Sequence, residues 1–161
     1  MGEWKKSSWR ILRYTTSGDN NAWTEYPNGL TTIEQGKGYF VNANTAKEIT
    51  LTNPTSPTSY RSNLFRMTFV KGWNQVGNPY TVTINWDDVL EFNKIDKEAT
   101  VGHLYLFSAG SYNPSPQLAP GTGGFVFAAR DTIIQISFPD QTSGGRISKS
   151  TSALSIATVG S

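Results

Sequence analysis

The sequence predicts an all-β fold in which two similar β units pack as a sandwich or a barrel-like domain, with one short helix near residues 86–96. Three observations carry this expectation. Residues 33–51, IEQGKGYFVNANTAKEITL, return as LAPGTGGFVFAARDTIIQI at 118–136 without a gap. Gly36 thus falls on Gly121, Gly38 on Gly123, Phe40 on Phe125, Val41 on Val126, Ala43 on Ala128 and Ile49 on Ile134. Aromatic residues make up 12 % of the chain and charged ones only 16 %, while Thr, Ser and Asn fill the polar positions, a mixture that favours strands. Apolar side chains also alternate with a period of two in several runs.

The first run, WRILRY at 9–14, alternates Trp9 and Ile11 with Arg10, with Tyr14 as a further candidate for the apolar side, and reads as a strand. TTSGDNNAW supplies turn residues, so a hairpin follows, and AWTEY leads to a second turn at Pro27-Asn28-Gly29. Beyond LTTI, the block Gly36-Lys37-Gly38 enters the strand GYFVNA, NTAK turns, and EITL forms another strand. The polar segment 54–63, with two prolines nearby and no hydrophobic period, separates a first unit (9–53) from a second (64–139), the whole forming one compact domain. In the second unit Phe65, Met67 and Phe69 alternate with Arg66 and Thr68, and GWNQVG is a short strand closed by Asn78-Pro79. Asn85 is a suitable N-cap, and Asp87 and Asp88 suit the first turn of a helix carrying Trp86, Val89 and Leu90. HLYLF takes the place of WRILRY, SAGSYNPSP makes a tighter hairpin, and TIIQISF closes the block. A Ser/Thr/Gly-rich tail (140–161) offers one more strand at SALSIATV. The expected core gathers Trp9, Ile11, Phe40, Phe69, Trp73, Val76, Leu104, Leu106, Phe125 and Ile134.

A length of 161 residues suits one domain, or two small lobes sharing a core. The net charge of +2 and the lone basic pair Lys5-Lys6 argue against nucleic acid, which needs clustered cations along one face. The absence of cysteine excludes disulfides, thiolate metal sites and a cysteine nucleophile. No apolar run approaches the roughly 18 residues of a membrane span, and MGEWKKSS lacks the apolar stretch of a signal peptide.

The glycine pairs invite a phosphate-loop reading, but a phosphate loop opens a helix, whereas both pairs run into strands; a turn or bulge is the better reading. Carboxylates are scattered over turns and one helix start, with no pair singled out as glycoside hydrolysis would need. His103 has no triad signature, SGDNNAW lacks the acidic count of a calcium loop, and no metal or cofactor is expected. Trp23, Tyr26 and Tyr112, in or beside hairpin turns, are the candidate ligand-binding residues, since exposed rings stack on sugars or grip a protein.

GWNQVGNPY followed by INWDDVL, with the pairs WRILRY…WTEY…IEQGKGYFV and LYLFSAGSY…LAPGTGGFV, resembles the GWNL(I/V)GNP…PGKGYWV-type β repeats of long secreted or surface proteins of Bacteroidetes-type bacteria. The resemblance covers roughly residues 9–138, and the family carries no established activity or catalytic residues. Tyr39 keeps the aromatic after the glycine pair in the first unit, whereas the second unit has Gly124, and the first unit shows no GWN strand, which either lies upstream in a longer protein from which this domain is cut or is supplied by the C-terminal tail. What the resemblance implies is an extracellular or outer-surface location, flanking domains, and a non-catalytic spacer, adhesion or glycan-binding role with a glycan or surface protein as partner. An accessory or catalytic domain of a polysaccharide-degrading hydrolase is the alternative.

Overall fold

The computed structural model describes residues 8–17, 20–45, 64–97 and 100–137. The expected strand at 48–51, the separating segment 54–63 and the tail 140–161 lie outside the described residues. The fold is all-β. Strands β1 (Trp9–Ser17), β2 (Asn20–Glu25) and β3 (Phe40–Ala43) form one antiparallel sheet in the order β2-β1-β3. β4 (Phe65–Phe69) and β5 (Gly72–Gly77) follow, then β6 (Ile84–Asn85), the helix α1 (Trp86–Phe92), β7 (Val101–Ser108), β8 (Ser111–Ser115), β9 (Gln117–Leu118), β10 (Gly123–Ala128) and β11 (Thr132–Ile136). The larger sheet runs β5-β10-β7-β8, with two-stranded ribbons β4–β11 and β6–β9 beside it.

The two sheets share an order and a sense of pairing: β2-β1-β3 in one, β8-β7-β10 in the other. Leu12 lies opposite Phe40 as Tyr105 lies opposite Phe125, and Ile11 opposite Val41 as Leu104 opposite Val126. Tyr14 faces Trp23 across the first hairpin as Phe107 faces Tyr112 across the second. The second hairpin closes on Ala109 (φ 50°) and Gly110 (φ 80°), two left-handed residues that match the twist of paired strands.

The core lies on one face of the larger sheet. Val76, Leu104, Val126 and Ala128 point inward from alternate positions and meet Met67 and Phe69 of β4, Ile134 and Ile136 of β11, Ile84, Leu118, and Trp86, Val89 and Leu90 of α1. Each fully buried Leu or Ile contributes about 1.5–3 kcal/mol relative to exposure. The buried polar tips are bonded: Trp86 Nε1 donates to the Gly102 carbonyl at 3.2 Å and Tyr80 Oη to the Ile136 carbonyl at 2.6 Å. Asn85 caps α1 by accepting from Asp87 N at 3.1 Å.

The helix ends at Phe92, earlier than the expected 96. Lys94 turns left-handed (φ 53°), its N–H and that of Ile95 bond the Glu91 and Leu90 carbonyls at 2.9 Å each, and the Asn93 side chain donates to the Val89 carbonyl (2.7 Å) while bonding both the N–H (2.8 Å) and the carbonyl (2.7 Å) of Gln135.

Trp73 departs from the expected core: it is 41 % exposed. Successive side chains of a strand point to opposite faces, so with Val76 inward Trp73 must point outward, where it packs on Tyr105 and Phe127. Tyr14 likewise takes the face opposite Trp9 and Ile11, being an odd number of residues from each. Trp9, Phe40 and Phe125 are half-buried, outside the central cluster, whereas Ile11, Phe69, Val76, Leu104 and Ile134 are buried as expected and Leu106 packs against the core.

An aromatic seam between two sheets

The sheets meet at glycines. Gly36 and Gly121, with φ of 76° and 71°, turn the chain into β3 and β10. Gly38 and Gly123 serve a different need, close approach of backbones. A Cβ on Gly38 would stand 2.5 Å from the Val76 oxygen, and one on Gly123 would stand 3.0 Å from that same oxygen and 3.3 Å from Gly38 Cα. Gly77 N donates to the Gly36 carbonyl at 3.0 Å, and Tyr14 N to Gln75 Oε1 at 2.7 Å, so β5 is tied to the smaller sheet as well as to β10.

This crossing brings six rings together in matching pairs. Tyr14 and Trp23 lie 5.2 Å apart between centroids, and Phe107 and Tyr112 5.1 Å. Tyr14 meets Phe125 at 5.6 Å as Phe107 meets Phe40 at 5.5 Å. Trp23 meets Phe40 at 5.5 Å as Tyr112 meets Phe125 at 5.5 Å, and Phe40 and Phe125 face each other at 6.2 Å in the middle. Most contacts are edge-to-face, the arrangement that the ring quadrupoles favour, worth about 0.5–1.5 kcal/mol each beyond area.

Trp23 (49 %), Tyr112 (48 %) and Phe107 (38 %) remain exposed at the two wings, with Phe40, Phe125 and Tyr14 half-buried between them. Burial raises the Tyr112 hydroxyl pKa above its ordinary value. On the same face of the larger sheet, Trp73 and the 43 %-exposed Phe127 extend the aromatic surface. Of the three residues singled out from sequence, Trp23 and Tyr112 therefore share one cluster, both touching Phe125. Tyr26 does not join it. It lies just past the end of β2 and stacks at 5.6 Å on Trp9, which takes the face of β1 opposite Tyr14 and Trp23. Sequence reasoning placed Phe40 and Phe125 in the core and did not single out Phe107; for Phe40 and Phe125 the place after the repeated glycines was the signal available, and for Phe107 it was the hairpin partner of Tyr112.

The charged groups near the seam have structural partners. Glu25 receives Arg10 through two bonds of 2.7 and 2.8 Å, Glu34 pairs with Arg13, and Asp131 accepts from Lys71 N at 2.8 Å. A cavity of about 200 Å³ at the junction of β1, β4 and β5 is lined by Arg13, Lys37 and Gln75. Lys37 is held below the usual lysine pKa by burial and by the neighbouring Arg13 charge. A depression of about 170 Å³ at the start of α1 gathers Asp87, His103 and Ser115. These three are not hydrogen-bonded to one another: Asp87 pairs with Lys97 at 2.6 Å, and Ser115 Oγ is held by Gln117 at 2.8 and 3.1 Å. Among the described residues no three His, Asp or Glu side chains gather as a metal site requires, and no helix is long and apolar enough to cross a membrane.

No protein-family model matches the chain, and neither does any curated protein or solved structure.

Proposed function

We propose that the chain is a non-catalytic binding module of a secreted or cell-surface protein, built from two copies of one β unit, and that its aromatic seam is a platform for glycan chains. The observation that supports this reading is the pair of half-exposed rings, Trp23 and Tyr112, in matching places either side of Phe40 and Phe125. Rings left open to water on a sheet face are costly to solubility, and they offer flat apolar surfaces suited to the apolar faces of sugar rings. Glu25 and Glu34 near the seam are held in ion pairs and Ser115 Oγ is bonded to Gln117, so these groups have structural partners, which favours binding over hydrolysis. The surface location follows from the repeat resemblance.

The test is a glycan array and polysaccharide pull-down with the purified chain, beside Trp23→Ala, Tyr112→Ala and Tyr26→Ala variants whose folding is checked by circular dichroism. Loss of either seam ring should weaken binding about tenfold, near 1.4 kcal/mol, while Tyr26→Ala leaves it unchanged. A wild-type chain that binds no glycan, or binding indifferent to both seam variants, refutes the reading. Release of reducing sugar from a bound polysaccharide would instead establish a hydrolase.

A further inference from the structure

We infer that the open edge of β3 accepts an extended strand of the β5 type, Gly-Trp-Asn-x-Val-Gly, donated by another polypeptide. The inference rests on hydrogen-bond register and is independent of the glycan reading.

In the larger sheet β10 has a neighbour on each side, β7 and β5; in the smaller sheet β3 occupies the matching place beside β1 and has no strand on its other edge among the described residues. The register says which groups that edge offers. Asn44 N bonds the Ser8 carbonyl at 3.1 Å, so the even-numbered residues of β3, Phe40 and Asn42, direct their N–H and C=O to β1. Tyr39, Val41 and Ala43 then direct theirs outward. On β10 the corresponding bond is Asn78 N to the Thr122 carbonyl at 3.2 Å, which places Gly124, Val126 and Ala128 in hydrogen-bonded pairs with Val76, Asn74 and Gly72 of β5. Val41 and Ala43 thus present the donor and acceptor row that Val126 and Ala128 present to β5.

Burial agrees with the register. Val126 and Ala128 are 0 % exposed, whereas Val41 and Ala43, the same residue types in the matching places, are only half-buried. The chemistry of the occupant follows from what β5 supplies beside β10: a glycine opposite the alanine, an asparagine opposite the valine, and a small residue where the backbones of the two sheets come closest. The chain's own β5 cannot move across, because one edge holds β10 and the other is bonded to Gly36 and bridged to Lys37. The sequence carries the Gly-Trp-Asn-x-Val-Gly pattern once, at 72–77, so a second strand of this type on β3 comes from another polypeptide, gaining main-chain hydrogen bonds for affinity and side-chain fit for register.

The experiment adds a synthetic peptide copying residues 70–79, VKGWNQVGNP, to the isotopically labelled 161-residue chain and follows amide hydrogen exchange residue by residue. Exchange at Val41 and Ala43 should slow about tenfold, with little change at Phe40 and Asn42, already bonded to β1. A peptide N-methylated at its asparagine, whose amide points to the acceptor, should have no effect; one N-methylated at its glutamine, whose amide points away, should act like the parent. Unchanged exchange at millimolar peptide, strong protection of Val41 and Ala43 before any peptide is added, or equal loss with both methylated peptides would each overturn the inference.

Discussion

Replacing Gly38 by alanine tests the crossing on which the seam depends. Gly38 does not have a positive φ, so the substitution asks little of the local backbone, and its cost is steric. The new Cβ would lie 2.5 Å from the Val76 oxygen and 3.0 Å from its carbonyl carbon, both backbone atoms that no rotamer can move aside. Restoring an ordinary 3.4 Å contact separates the two strands by about 0.9 Å. Overpacking of this kind costs about 1–3 kcal/mol. The separation also strains the 3.0 Å bond from Gly77 N to the Gly36 carbonyl, worth about 1 kcal/mol, and pulls Phe40 from Phe125. The expected sum is about 3 kcal/mol, or a fall in Tm of roughly 10 °C for a domain of this size. Urea unfolding followed by tryptophan fluorescence measures it. Gly110→Ala is the control: a Cβ there meets nothing within 4 Å, and φ 80° alone sets the cost, about 1–2 kcal/mol. If Gly38→Ala costs no more than the control, the sheets do not cross in backbone contact and the account of the repeated glycines fails.

Asn93→Ala should destabilise by about 2–3 kcal/mol in the same assay, since it strips partners from the N–H and carbonyl of Gln135 at once; a loss below 0.5 kcal/mol, about the scatter of a neutral surface change, would contradict that role. Lys94→Gly should stabilise by about 1 kcal/mol, because glycine adopts the left-handed φ of 53° without the clash a Cβ brings, and an unchanged urea midpoint would refute it. Lys37→Met should raise Tm at pH 7. The folded-state pKa of Lys37 is depressed, so the unfolded chain binds the extra proton; the penalty on the native protein is full below the folded pKa and fades as pH rises toward 10.5. The Tm advantage of Lys37→Met should shrink over that climb, and a constant advantage from pH 7 to 10 would place its origin outside the ammonium charge.

Some of this architecture was legible in the sequence because it depends on local periodicity alone. The alternation in β4 gave Met67 and Phe69 their inward face, and Asn85 with Asp87 and Asp88 marked the start of α1. Where a choice depended on another element, sequence reasoning went astray. Trp73 and Val76 cannot share a face of one strand, and the pairing of β5 with β10 decides that Val76 is the inward one and Trp73 lies on the outer face. The end of α1 falls at the left-handed Lys94 and at Asn93, whose side chain ties the Val89 carbonyl to the backbone of Gln135 in β11. The seam was half visible. Trp23 and Tyr112 stood out as hairpin aromatics, but their convergence on Phe125 required the two sheets to cross, and Tyr26 stacks on Trp9 instead.

The crossing also explains why matching positions touch one another. Gly38 packs by Gly123 and Phe40 by Phe125, as residues nearest an approximate two-fold axis must, while more distant positions form reciprocal pairs, Tyr14 with Phe125 and Phe107 with Phe40. In a self-complementary interface each small residue near the axis serves both sheets, so the glycine that lets one strand approach also sets the height at which the rings of both meet. Tight approach at the axis and open rings at the wings are then one arrangement: bringing the sheets together buries Phe40 and Phe125 against each other, and their edge-to-face partners Trp23 and Tyr112 are pushed outward, each with a face toward water. On the proposed glycan-binding reading, rings packed edge-to-face in this way are the platform. Its rings would meet a flat ligand without first losing rotamer freedom, which is the condition under which stacking converts most fully into affinity.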